Sequence, residues 1–79
     1  MRDLTSVLTR MMPLLKDRQW GLVCALDFIQ QAYHWCAPET KQHYWNEAEA
    51  LIFRHLGYEP SKWTVWERDA IQIWKDEEE

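Results

Sequence analysis

The stretch from Asp17 to Cys36, DRQWGLVCALDFIQQAYHWC, constrains this chain more than any other. Two apolar stripes run along it at helical spacing. Leu22, Leu26, Ile29, Tyr33 and Cys36 make one stripe. Trp20, Cys24, Phe28 and Trp35 make the other, with Val23, Ala25 and Ala32 between them. A surface helix carries one apolar stripe, whereas a helix apolar over much of its circumference is surrounded by others. The pattern predicts a central helix, about 30 Å long, inside a small all-α domain.

The flanking segments read as three further helices. Apolar residues at positions 4, 7, 8, 11 and 12 predict a first helix over 3–12, with Asp3 as its N-cap. Pro13 then either ends that helix or kinks it, because proline lacks an N–H and clashes with the carbonyl four residues back. Lys16, Asp17 and Arg18 form a polar hinge, and Asp17 is placed to cap the central helix over 17–36. Pro38 and Glu39 suit a helix start, so a third helix is expected over 38–56. Its buried face is Tyr44, Trp45, Ala48, Leu51, Ile52 and Leu56. Gly57 is the stop signal, and Tyr58 should pack back on Phe53 or its neighbours. The fourth helix spans 62–75, with apolar positions 63, 66, 70, 73 and 74. It opens at Lys62 if Ser61 caps it, or later if Thr64 and Glu67 form a capping box. Residues 76–79, all acidic, are expected to fray, and the whole chain reads as one helical domain, 1–79.

A domain of 79 residues has a thin stability margin and needs disulfides, a metal, dense packing or a partner chain. Disulfides are not the answer. Cys24 and Cys36, twelve residues apart, would lie roughly 18 Å apart along one helix, beyond any bridge. Free thiols suit a reducing compartment. With no leader-like start and no apolar run of membrane-spanning length, the chain reads as soluble and cytoplasmic, without a membrane partner.

Little here points to chemistry. His34, Cys36 and His43 lie near one turn but lack the paired spacing that aims two ligands at one metal, so no metal site is expected. Asp27 interrupts the apolar central helix and reads as a partly exposed or paired acid. No serine or cysteine has a base beside it, and two glycines make no phosphate-cradling loop. A non-catalytic protein without a cofactor is the expectation.

The aromatic content points elsewhere. Six tryptophans, three tyrosines and two phenylalanines exceed what three inter-helix seams require. Tryptophan and tyrosine dominate binding hot spots, because they bring large area at low entropic cost. Tyr44, Trp45, Trp63 and Trp66 are the candidates for a protein-binding face. The net charge of −4 argues against indiscriminate nucleic-acid binding and favours a partner with a basic surface.

One local signature remains. Residues 52–68, IFRHLGYEPSKWTVWER, resemble the helix-turn-helix of lambda-repressor-like phage regulators. Leu56, Gly57, Tyr58, Ser61, Trp63 and Trp66 occupy its turn and buried spacing, while Phe53 stands where the pattern has a small residue. The resemblance implies that exposed positions of the second helix enter the DNA major groove. Those positions here are Ser61, Lys62, Thr64, Val65 and Arg68. Only two of them are cations, and phosphate contacts supply much of DNA affinity. The sequence therefore points first to a small protein-binding regulator or inhibitor, of the kind phages and mobile elements encode against host machinery. A DNA-binding regulator and a homodimeric structural subunit are the alternatives.

Overall fold

The computed structural model describes residues 3–78 of the chain. Four helices, α1 (Leu4–Leu15), α2 (Trp20–Trp35), α3 (Lys41–Leu56) and α4 (Val65–Glu78), make up the domain. Short 3₁₀ turns at Pro38–Thr40 and Pro60–Lys62 lead into α3 and towards α4. The all-α expectation holds, and so does the number of helices. The helices pack in the spatial order α4, α1, α2, α3, with close backbone approach between each neighbouring pair.

α1 supplies the most completely buried stripe. Leu4, Val7, Leu8, Met11 and Leu15 fall at helical spacing, and all are sealed from solvent between α2 and α4. Pro13 neither ends nor delimits this helix, which continues through Leu15. The carbonyl it deprives of a helical partner belongs to Thr9, and Thr9 and Pro13 both lie on the exposed side. Polar ties reinforce both flanks. Gln30 of α2 donates from Nε2 to the Thr5 carbonyl at 3.0 Å and to Thr9 Oγ1 at 3.1 Å. Arg10 pairs with Glu77 of α4 at 2.9 Å, and the Asp3 amide donates to the same carboxylate at 3.2 Å.

Those last contacts correct the expected fraying. α4 stays helical through Asp76, Glu77 and Glu78, because Glu77 is held by α1 and Glu78 accepts the indole N–H of Trp74 at 2.8 Å. Glu79 lies outside the described residues. Two other local expectations also change. Asp17 is not the cap of α2: residues 16–18 form a turn that extends the end of α1, the Gln19 amide donates to the Leu15 carbonyl at 2.8 Å, and Gln19 takes the N-cap position. Asp3 does sit at the N-cap of α1, though its side chain makes no capping hydrogen bond.

The α3–α4 connection follows its residues closely. Gly57 ends α3 at φ 76° and ψ 179°, a backbone region essentially reserved for glycine. Tyr58 stacks on Phe53 with ring centroids 4.8 Å apart, as expected from the chain reversal. The later start of α4 is the one adopted. Thr64 and Glu67 form a reciprocal capping box: the Thr64 amide donates to Glu67 Oε1 at 2.9 Å, and the Glu67 amide donates to Thr64 Oγ1 at 3.2 Å. Ser61 and Lys62 consequently lie on a 3₁₀ turn rather than on the helix.

α3 and α4 meet through side chains. Trp45 stacks on Trp74 with centroids 4.4 Å apart and planes inclined by 23°, and the two rings are 4% and 0% exposed. Ala48, Ile52 and Leu56 complete the buried face of α3, and Ala70 and Ile71 that of α4. Tyr44, Leu51 and Ile73 pack at the margin of this core.

Two outcomes follow for denaturant unfolding. Trp74→Ala should lose about 3–5 kcal/mol, a large share of what a domain of this length has in total. Gly57→Ala should lose about 1–3 kcal/mol through backbone strain, since no atom beyond its immediate chain neighbours stands within 4 Å of the added methyl group.

Candidate functional site

α2 buries one of its two stripes and leaves the other bare. Leu22, Leu26, Ile29 and Tyr33 face α1 and α3. Trp20, Cys24, Phe28 and Trp35 point outward, roughly opposite by the 3.6-residue period. Trp20 is 65% exposed, Phe28 76% and Trp35 83%. The expectation that other helices surround this one is therefore wrong. Among the described residues only three other α-helices could cover it, and α4 packs on α1 instead, so the outer side of α2 meets solvent. Periodicity shows that a stripe is apolar but not what covers it.

This outer face is nearly free of charge. Asp27 is the one acidic or basic residue between Trp20 and Trp35 apart from His34. It is exposed and accepts a hydrogen bond from Gln31 Nε2 at 3.1 Å. Cys24 is a free, exposed thiol in the middle of the face. Cys36 is also free, lies beyond the end of α2, and directs Sγ to the Tyr33 carbonyl at 3.1 Å.

A second apolar surface lies at the start of α4. Trp66 is 56% exposed and lines a cleft with Pro13, Leu14, Asp17 and Arg18 from the end of α1 and its turn. Neighbouring Val65 is also exposed. Nearby, Glu67 of the capping box also accepts a hydrogen bond from Gln19, which donates from Nε2 to Glu67 Oε2 at 3.0 Å. Glu67 is buried here with partners on α2's cap and α4's start, a structural joint between two helix termini.

The four aromatics singled out from the sequence divide sharply. Trp66 is exposed and remains a candidate. Trp45 is not a surface anchor: it is buried against Trp74. Trp63 is half-buried, and its indole N–H bridges the Leu56 and Gly57 carbonyls at 2.8 and 3.2 Å, locking the end of α3. Tyr44 is half-buried beside His43. Sequence reasoning misses Trp20, Phe28 and Trp35, whose helical spacing predicts a covered stripe. One signal could have separated the stripes, since every leucine and isoleucine of α2 lies on the buried one.

The five positions proposed to read DNA do not form one helix face. Ser61 and Lys62 lie on the 3₁₀ turn, Thr64 caps α4, and Val65 and Arg68 belong to its first turns. Both cations are engaged locally: Lys62 pairs with Glu59 at 3.7 Å, and Arg68 donates from Nε to the Pro60 carbonyl at 3.3 Å. Among the described residues, no three His, Cys, Asp or Glu side chains gather as a metal would require. Nor is any helix there long and apolar enough to cross a membrane.

In dilute protein, where no association contributes, Phe28→Ala and Trp35→Ala should each leave unfolding free energy unchanged within about 0.5 kcal/mol, as expected of exposed side chains. Trp45→Ala should lose several kcal/mol in the same assay, separating surface from core. The chain matches no protein-family model, no curated protein and no solved structure.

Proposed function

We propose that this domain is a small non-catalytic regulator or inhibitor that works by covering the surface of a partner protein with exposed aromatic side chains. The observation that carries the reading is the placement of Trp20, Phe28, Trp35 and Trp66, all more than half exposed on a domain whose core is already filled by other residues. Leaving such rings in water is unfavourable at about 25 cal/mol for each Å² of apolar area, so nothing in folding accounts for them. Apolar patches of a few hundred Å² on a monomer are often functional. The net charge of −4 favours a partner that presents a basic surface around its apolar pocket.

The test is affinity capture from bacterial lysate with tagged protein, with and without nuclease, alongside Trp66→Ala and Trp35→Ala. A near-stoichiometric protein that survives nuclease and is lost with at least one of the two variants is the expected result. Recovery of DNA, together with proteins that vanish when it is digested, would replace this reading with a helix-turn-helix regulator. Capture unaffected by either variant would remove the aromatic anchors from the mechanism.

A further inference from the structure

The outer face of α2 has a symmetry that narrows the choice of partner. Its exposed residues mirror one another about the point between Asp27 and Phe28: Trp20 lies as far before that point as Trp35 lies after it, and Cys24 matches Gln31. All six fall on one side of the helix by the 3.6-residue period. A two-fold axis through that point would lay α2 antiparallel on a second α2. Each Trp20 would meet the partner's Trp35, each Cys24 the partner's Gln31, and each Phe28 the partner's Asp27. Such self-complementarity is what an isologous interface demands.

The available area fits a dimer. A fully exposed aromatic side chain carries on the order of 200 Å², so at their observed exposures the three rings offer on the order of 450 Å² per chain. Two copies would bury on the order of 900 Å² from the rings alone. Cys24, Asp27 and Gln31 extend this to the low end of specific interfaces, about 1,200 Å² in total. Trp20 and Trp35 stand about 22 Å apart, enough contact length for two antiparallel helices to interlock their side chains.

We propose that this face binds a second copy of the chain, giving a two-fold dimer in which α2 packs antiparallel on α2 about the Asp27–Phe28 midpoint. The proposal rests on the protein-binding reading and assigns this surface to self-association, leaving the Trp66 cleft for a different protein.

The register makes the test specific. Sedimentation equilibrium of the full chain at tens-of-micromolar concentration should give a dimer. Phe28→Glu sets a carboxylate against the partner's Asp27 on both sides of the axis and should raise the dimer dissociation constant at least about 30-fold. Phe28→Lys sets an ammonium group against the same Asp27 and should weaken the dimer much less. Circular dichroism melts of both variants at low concentration, where the monomer prevails, should match the wild type if only association has changed.

Screening adds an independent sign. Each copy carries −4, so raising salt from low to physiological strength should tighten the dimer, whereas binding to a basic partner would weaken. A wild-type chain that stays monomeric throughout overturns the proposal, and so does equal weakening by the two Phe28 variants. If that monomer still captures a protein that Trp35→Ala releases, the face belongs to a different partner and the protein-binding reading stands. If the chain is monomeric and neither Trp35→Ala nor Trp66→Ala alters capture, both readings fall.

Discussion

The stack of Trp45 on Trp74 holds the domain closed. Backbone packing joins α4 to α1, α1 to α2, and α2 to α3, which leaves the first and last members of that series to be connected by side chains. Two indoles 4.4 Å apart bridge the gap with little penalty in rotamer entropy and more buried area than any aliphatic pair could supply. Around them, α1 provides a sealed stripe that both its neighbours share. A chain this short has no disulfide to lean on, and its two thiols are free. Tryptophan takes the role that cross-links play in other small domains.

Polar contacts then fix how the helix ends meet. Glu67 is buried, yet both carboxylate oxygens are occupied, one by the Thr64 amide and one by the Gln19 side chain. That satisfies the start of α4 and ties it to the start of α2. Glu77 does the same at the other end of α4, receiving the Asp3 amide and Arg10. Trp63 closes the end of α3 by donating to its final carbonyls. An aromatic residue can thus serve as a cap. Trp63 and Trp66, three positions apart, have entirely different surroundings.

The aromatic surplus noted in the composition is therefore genuine but unevenly distributed. Trp45, Trp63 and Trp74 hold the fold, whereas Trp20, Trp35 and Trp66 face solvent. α2 shows the division within a single helix: leucine, isoleucine and tyrosine inward, tryptophan and phenylalanine outward. Fold and surface draw on opposite sides of the same element, so changes to the outer side chains can alter association without reaching the core. Such separation is what allows the surface to be examined by substitution.

Much was legible from local chemistry. Helical periodicity located four helices, Gly57 marked the end of α3, Tyr58 returned to the Phe53 region, and the Thr64–Glu67 pair was one of two starts open to α4, the one the structure adopts. Each depends on residues within a few positions of one another, and local backbone preferences decide it. The candidate surface was much less legible. Trp45 and Trp63 have the composition of binding anchors, and only their neighbours in space make them structural. Trp20, Phe28 and Trp35 have the spacing of a core stripe, and only the packing of α4 on α1 leaves them uncovered. By itself the sequence determined which residues are apolar, roughly where the helices run and where α3 stops. Which apolar stripe is buried was decided by tertiary structure, because burial depends on which elements are available to cover a face, and periodicity carries no information about that.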